Sequence, residues 1–359
     1  METYLTWMRY ALWGGEKPET PASLSLLLDI ANRQKTRGLI YDALLREATG
    51  LPDERRSRMQ YFLMQTFNTH RQLDAAVARS MAALQEAGIP AVLLKGQGVA
   101  RNYPNPLLRE CGDVDVYIGP ERFEAACQVL RGIADRADDA IYGKHWQFWI
   151  GEAEVELHLY SIRPETRRQL RFYRELEANG FAHGLVTLDF HGVSVPTPAP
   201  TFNAFYLFYH AWHHFLDSGI GLRQLCDWAL LLHAQRDAID RERLRAMLDG
   251  MQLLRPWQLF GCIAVHDLGL PAEEFPCYDE ASLPGSRRLL EIIIKEGNFG
   301  HASRKKSKRP SGLLPRKAHS FGRIVRRFFR LLPAAPGVFC RSFWQITTYK
   351  LLHVFQRGL

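Results

Sequence analysis

The sequence lacks a long hydrophobic run, a signal peptide and closely spaced cysteines. No stretch of 18 apolar residues occurs in its 359 residues, whereas a membrane-spanning helix needs about 20. The first residues, METYLTWMRYALWGG, have neither the basic start nor the small-residue cleavage site of a secretory signal. The six cysteines show no Cys-x-x-Cys spacing, which argues against a zinc site or a disulfide framework. We therefore expect a cytoplasmic protein.

Acidic residues are absent from the C-terminal part of the chain. Residues 301–359 carry 14 of the 46 Lys and Arg residues and no Asp or Glu. Residues 1–300 carry 32 basic and 38 acidic residues, so the net charge of +8 is a property of the C-terminal segment. A segment of one charge sign indicates an anionic partner, such as phospholipid or nucleic acid.

Hydrophobic periodicity divides the chain into four parts and predicts an α+β fold. Positions 22–48 and 53–87 have helical spacing, and Gly88 ends the second of these segments. From Thr201 to about Gly297 the pattern is helical again. We expect a small mixed-sheet core flanked by helical regions. The four parts are an N-terminal helical region, an α/β core, a helical domain and a basic amphipathic tail (1–88, 89–196, 197–300 and 301–359).

Short apolar and alternating runs predict the strands of the core. IPAVLLKG is typical of a buried strand that turns into a helix, and DVDVYI alternates as a second strand. The segment PERFEAACQVLRGI predicts a helix with Pro120 in its first turn. HWQFWI and EVELHLY, which Gly151 separates, predict a β-hairpin.

Two aspartates in the second predicted strand are the first candidate site residues. Residues two apart in a strand share a face, so Asp113 and Asp115 point the same way while Val114 and Val116 face the core. Carboxylate oxygens suit Mg²⁺, which accepts few protein ligands when phosphates supply the rest. An Asp-x-Asp pair alone is also common on the wet face of a surface strand. The pair needs support from other residues.

A later strand and a glycine turn supply that support. Glu154, Glu156 and His158 share one face by the same period, so a carboxylate from this strand can reach the same metal. The turn after the first strand contains Lys95 and Gly96, and it can offer backbone N–H groups and a positive charge to a triphosphate. A metal clamp beside a phosphate-binding turn is the equipment for phosphoryl or nucleotidyl transfer.

The order of these motifs resembles the nucleotidyltransferase fold of the DNA polymerase β superfamily. It is more closely similar to a bacterial group of uncharacterised nucleotidyltransferases, over about residues 20–300. The residues that carry the resemblance are Leu94-Lys95-Gly96, Arg109, Gly112-Asp113-Val114-Asp115 and Val155-Glu156-Leu157-His158.

The resemblance implies a metal site and a nucleotide site. Asp113 and Asp115 would bind Mg²⁺, and Glu156 would either complete the site as the third acid or act as the base toward the acceptor. The chain departs from the superfamily at Gln97, where a serine usually follows the glycine, and at Glu156, where the third acid is commonly Asp. The residues expected to bind the NTP are Lys95, Gly96, Gln97, Arg109 and Gly112.

The resulting hypothesis is a Mg²⁺-dependent enzyme that transfers a nucleoside monophosphate from an NTP to an unknown acceptor. A sugar or lipid of surface-polysaccharide biosynthesis is one candidate acceptor. One alternative is a toxin-like nucleotidyltransferase that modifies tRNA, and another is a nucleotide-binding module without catalysis. The presence of all three acids favours the enzyme, because a site that has lost turnover is expected to lose carboxylates first.

Three further pairs lie four residues apart in the predicted helical domain. His210 and His214, and separately His213 and Asp217, have a spacing that a metal can use. No Glu follows His210 as His-Glu-x-x-His requires, and we expect core or cleft-lining histidines. Arg223 and Asp227 form either an intrahelical ion pair or a contact between the helix and a substrate phosphate.

The tail predicts an amphipathic helix. At about 100° per residue, one half of FGRIVRRFFRLL is apolar and the other half is basic. Such a helix can lie in a membrane interface, so residues 321–355 could bind an anionic membrane at its inner face. Alternatively, the apolar half docks on the protein's own helices with the arginines solvated. Nucleic-acid binding ranks third, because it leaves the apolar half unexplained. The apolar half is Phe321, Ile324, Val325, Phe328, Phe329, Leu331 and Leu332, and the basic half is Arg323, Arg326, Arg327 and Arg330.

Overall fold

The structure is a computed structural model. It describes residues 1–356 except 20, 22, 142–144, 163, 165, 301–321 and 323. The side chains of 139–141, 145, 346 and 348–356 also lie outside the description. Phe321 and Arg323 of the predicted tail helix fall outside the described residues.

The N-terminal region is helical, as predicted. The segment 22–48 is two helices and not one, because Lys35 adopts a left-handed conformation with φ of 57° and ends the first. The long helix after Pro52 has two acidic residues in its first turn, where their negative charges interact favourably with the helix dipole. The helices are α1 (Glu2–Trp13), α2 (Leu24–Gln34), α3 (Arg37–Glu47) and α4 (Asp53–Glu86).

A five-stranded mixed sheet forms the core, in the order β1-β2-β5-β4-β3. Strand β2 pairs with β5 in parallel and with β1 antiparallel. The predicted hairpin is confirmed as β4 and β5, joined through Gly151 with φ of 62°. The sequence patterns did not predict β3. The strands are β1 (Val92–Leu94), β2 (Asp113–Tyr117), β3 (Arg136–Ile141), β4 (His145–Ile150) and β5 (Ala153–His158).

The remaining elements of the core are three helices and a second hairpin. Helix α6 begins at Phe123, so Pro120 precedes it instead of lying in its first turn. The third helix and the two-stranded hairpin of β6 and β7 are additions to the predicted elements. These elements are α5 (Gly96–Ala100), α6 (Phe123–Ile133), α7 (Arg167–Ala182), β6 (Val186–Phe190) and β7 (Val193–Thr197).

The C-terminal region is helical. No helix in the described part of the chain combines the length and the apolar character needed to cross a membrane. Two helices of the tail follow the undescribed segment 301–321. The helices are α8 (Pro200–Asp217), α9 (Leu222–Ala234), α10 (Arg241–Gly250), α11 (Leu254–Cys262), α12 (Leu283–Glu296), α13 (324–331) and α14 (Pro336–Gln356).

Two hydrophobic clusters hold these elements together. One lies between the sheet and helices α4 and α6, and it contains Val114, Val116 and Val155. The other joins the N-terminal helices to the C-terminal helices, with members such as Leu39 and Trp228. The observed architecture is therefore the predicted α+β class, and the two helical regions share one apolar cluster.

The described part of the tail packs on the body. Leu331 and Phe339 are buried in the larger cluster. Arg327 and Arg330 each form a 2.6 Å ion pair with Glu296, whose side chain is 2% exposed. Docking is thus confirmed for Ile324 and Leu331 of the predicted apolar half. The expectation of solvated arginines is wrong for Arg327, because its guanidinium also donates to the Phe215 carbonyl.

Candidate active site

Strand register brings the predicted acids together. Parallel pairing of β2 with β5 places Asp115 beside Glu156 and Asp113 beside Glu154. Val114 is fully buried on the opposite face of β2, as the two-residue period of a strand requires. Glu156 borders the same cavity as the two aspartates, whereas Glu154 does not.

Asp115 is the most enclosed of the three acids, with 3% of its surface exposed. His158 Nε2 lies 2.6 Å from Asp115 Oδ1, and Lys95 Nζ lies 3.1 Å from the same oxygen. Burial by itself would raise the pKa of Asp115, but the Lys95 charge and the His158 hydrogen bond hold that pKa well below its usual value. Asp115 is accordingly a carboxylate at neutral pH.

The pKa values of the other two acids are shifted in the opposite direction. The Asp115 charge raises the pKa of Asp113, whose side chain is exposed. Burial, followed by the Asp115 charge, raises the pKa of Glu156. Like charges held close together cost free energy that a bound cation would recover.

A divalent cation fits this group of side chains. Ligand atoms of Asp115, Glu156 and His158 lie within 4.8 Å of one another, and this is the metal-capable group found among the described residues. Asp113 lines the same cavity. Carboxylate oxygens are the ligands that Mg²⁺ prefers, and an imidazole nitrogen suits other divalent metals better. His158 is therefore better placed as the donor that orients Asp115.

The turn after β1 presses against β2. Lys95 and Gly96 have φ values of 46° and 37°, a region that glycine enters more readily than other residues. A Cβ atom on Gly96 would lie 3.3 Å from the Asp113 carbonyl oxygen, so the close approach also favours glycine. Burial acts to lower the pKa of Lys95, but the Asp115 charge raises it above its usual value. Lys95 thus keeps its positive charge.

A cavity of about 360 Å³ collects most of the predicted site residues. Gln97 and Gly112 do not line it. Gln97 is 2% exposed and donates a 2.5 Å hydrogen bond to Asp74 Oδ1, so the structure does not bring its amide to the cavity. The predicted residues that do line the cavity are Lys95, Gly96, Arg109, Asp113, Asp115 and Glu156.

Arg109 forms a buried ion pair with the helical region. Its Nε and Nη2 atoms lie 2.7 Å and 2.8 Å from the two carboxylate oxygens of Asp227. Tyr103 donates a 2.7 Å hydrogen bond to the same carboxylate, and Arg109 Nη1 lies 2.7 Å from Cys111 Sγ. Asp227 therefore pairs across the fold with Arg109, and the intrahelical ion pair considered for Arg223 is wrong.

Comparison with known proteins identifies the family. A family model described as "Uncharacterised nucleotidyltransferase" matches residues 20–269. The chain belongs to this nucleotidyltransferase family. No curated protein matches. Among solved structures, an antigenic nucleotidyltransferase-like protein from Paracoccidioides brasiliensis is 14% identical, with 52% of this chain and 89% of that chain covered at a TM-score of 0.35.

Arg223 is the cation that this nucleotidyltransferase leaves most available in the cavity. Its guanidinium donates to the Glu110 carbonyl oxygen, and its buried Nε has no hydrogen-bond partner. Within the described ranges, no carboxylate lies at ion-pair distance from Arg223, whereas Lys95 pairs with Asp115. A buried donor without a partner costs free energy, and a phosphate oxygen would satisfy it.

Three histidines of α8 line the cavity of the nucleotidyltransferase, among them His210 and His214, as expected. His210 Nε2 lies 3.0 Å from Lys95 Nζ and 3.2 Å from His214 Nε2. Burial, followed by the Lys95 charge, lowers the pKa of His210, and the same causes lower the pKa of His214 to about 3. Both rings are neutral near pH 7, and neither belongs to the metal-capable group of the described residues.

Sequence patterns did not assign a role to His158 or Tyr103. The alternation Glu-x-His already placed His158 on the face of Glu156, so a signal for it was present. Tyr103 lies 124 residues from its partner Asp227, and no local pattern connects the two. Contacts of that separation depend on how the core and the helices pack.

Proposed function

We propose that the protein is a Mg²⁺-dependent nucleotidyltransferase that moves a nucleoside monophosphate from an NTP to an acceptor oxygen. The acceptor oxygen forms a bond to the α-phosphorus, the bond from that phosphorus to the bridging oxygen breaks, and pyrophosphate leaves. The observation that supports this reaction is the convergence of three carboxylates with Lys95 and Arg223 in one cavity. We also propose that the fold is related to the DNA polymerase β superfamily.

All three carboxylates bind the metal in this proposal, and Glu156 has a second role. Asp113, Asp115 and Glu156 would hold Mg²⁺, which when bound supplies charge neutralisation for the transferred phosphoryl group. Lys95 and His158 orient Asp115 through the 3.1 Å and 2.6 Å contacts. Glu156 has a raised pKa, which suits a base that accepts the proton of an acceptor hydroxyl.

The phosphates would contact Arg223 and the turn at Gly96, which line the cavity with the carboxylates. Arg223 offers its unpartnered Nε to a phosphate oxygen, and Gly96 allows close approach of the backbone. Arg109 is committed to Asp227, so we assign it to positioning the segment that leads to Asp113. Gln97 is assigned to positioning the turn at Gly96, because its amide donates a hydrogen bond to Asp74.

A second cavity, of about 740 Å³, is the proposed acceptor site. His213 lines both this cavity and the smaller one, so the two cavities are neighbours. The larger cavity combines apolar residues such as Trp212 and Val338 with polar ones such as Gln252 and Arg341. This mixture suits an acceptor with an apolar part and a polar part, and we propose a sugar or lipid of bacterial surface-polysaccharide synthesis. Peripheral contact with the inner face of the membrane completes the proposal.

Thermal melting with ligands tests the metal and nucleotide sites. Mg²⁺ and an NTP together should raise the melting temperature well beyond either alone, because carboxylates and phosphates share the metal. Ligand at 100 times its dissociation constant adds about 2.7 kcal/mol, or about 4 °C for a chain of this length. Asp113→Asn should melt normally and lose the combined shift, because the Asp113 side chain is exposed. Asp115→Asn should also lose the shift but melt lower than the original chain, because it leaves the buried Lys95 charge without its carboxylate partner. Glu154→Gln, on the same strand as Glu156 but outside the cavity, is the control.

The outcomes separate the alternatives. No shift with any of the four NTPs would contradict the proposal. A shift without transfer of label from an α-labelled NTP to sugar or lipid fractions would favour the non-catalytic module. Label in tRNA would favour the toxin-like alternative.

A further inference from the structure

The tail helices turn one face toward the body and another toward solvent. Ile324, Leu331 and Phe339 are 7%, 2% and 2% exposed. Their burial uses much of the apolar half that the sequence predicted for membrane contact. Any partner of the tail must therefore bind the opposite side, which we call the outer face and define by Arg326, Phe329, Arg341 and Trp344. All four side chains are exposed.

Two large aromatic rings project from the outer face. Phe329 and Trp344 are 63% and 69% exposed. Each ring neighbours one member of a packed pair, because the Phe328 and Phe343 centroids are 4.3 Å apart. Phe329 lies 5.2 Å from Phe328, and Trp344 lies 6.3 Å from Phe343. The exposed rings are thus the two ends of one aromatic cluster that spans both tail helices.

The charge of the outer face has one sign. Residues 301–359 contain no Asp or Glu. Glu296 of α12 faces the tail, but it is buried and paired with Arg327 and Arg330. Arg326 and Arg341 are exposed on the outer face, and Arg341 also borders the larger cavity. The surface therefore complements an anionic partner.

We propose that the outer face binds an anionic lipid bilayer. Exposed Trp and Phe rings flanked by Arg are the combination that lies in a membrane interface, with rings among the acyl chains and guanidinium groups at phosphates. This inference specifies which surface makes the membrane contact proposed above, and it does not depend on the transferase reaction. It also reverses the orientation that the sequence predicted, since the docked side chains face the body and the outer face meets the lipid.

Sedimentation of the full chain with vesicles, in the absence of nucleotide, tests the proposal. The protein should sediment with mixed phosphatidylcholine and phosphatidylglycerol vesicles, sediment much less with phosphatidylcholine alone, and be released by high salt. Each arginine near such a surface contributes about a fivefold gain in affinity, so Arg326→Gln with Arg341→Gln should weaken binding about 25-fold. Phe329→Ala with Trp344→Ala should weaken it at least about tenfold.

The controls use side chains of matched exposure. Tyr61 on α4 is 58% exposed, and Tyr61→Ala should bind vesicles like the original chain. Melting temperatures should agree among all variants, because the substituted side chains are exposed. A variant of the outer face that loses both melting temperature and vesicle binding would therefore contradict a direct role of that face in binding.

Several results would overturn the proposal. These are equal sedimentation with both vesicle types, unchanged binding in both double variants, or binding to tRNA without binding to vesicles. Self-association that Phe329→Ala with Trp344→Ala abolishes, with no vesicle binding, would instead identify a second copy as the partner. If Mg²⁺ and NTP give no thermal shift while vesicle binding behaves as expected, the transferase proposal fails and the membrane proposal stands.

Discussion

Replacing Asp227 by Asn should destabilise the fold through the buried Arg109 charge. Both side chains of this ion pair are nearly inaccessible, at 6% and 7% exposure. The Asn amide is similar in shape to the carboxylate but does not neutralise the guanidinium. Removal of one partner from a buried ion pair costs about 3–5 kcal/mol.

The expected change in melting temperature follows from the length of the chain. Unfolding entropy of about 2.1 cal/mol/K per residue gives about 0.75 kcal/mol/K for 359 residues. The Asp227→Asn variant should therefore melt about 4–7 °C lower near neutral pH. Burial acts to raise the pKa of Asp227, but the Arg109 charge holds it below its usual value. The contribution of the pair is thus present above about pH 4 and lost as the pH falls through the folded-state pKa.

A double variant separates stability from ligand binding. Arg109→Met with Asp227→Leu removes both charges and should recover most of the lost melting temperature, because apolar replacements of a buried pair are often neutral. If Arg109 only positions its segment, the recovered variant should keep the thermal shift with Mg²⁺ and NTP. Melting of Asp227→Asn within about 1 °C of the original chain would refute the estimate for the buried pair. Normal melting with loss of the nucleotide shift would assign the pair to ligand binding.

Two further predictions concern the tail and the cleft histidines. Truncation after Gly300 should lower the melting temperature and promote aggregation, because it exposes apolar surface and leaves buried Glu296 without its two arginines; a truncated protein as stable as the full chain would contradict the docked tail. His214 has a folded-state pKa of about 3, so stability should fall as the pH drops from about 6.5 toward that value. His214→Gln should flatten this fall in a series of melts, and an NMR titration that gives an ordinary imidazole pKa would disprove the burial argument.

The sequence by itself determined which candidate side chains share a strand face. A strand has a period of two residues, so Asp113 and Asp115 had to share a face once their segment was identified as a strand. The same rule placed Glu156 and His158 together, and the apolar runs around them indicated which face was buried. Local geometry was sufficient for these inferences, because each depends on neighbours only a few residues away.

Only the tertiary structure decided which residues meet across the chain. Helical spacing made Arg223 a candidate partner for Asp227. In the structure Asp227 pairs with Arg109, which is 118 residues away. The Gln97 amide donates a hydrogen bond to Asp74. The buried apolar side chains of the tail pack on the body. Arg109 and Asp227 are both buried, and a buried charge needs a partner that neutralises it and forms hydrogen bonds with it. The choice of that partner depends on packing between distant elements, which no local pattern contains.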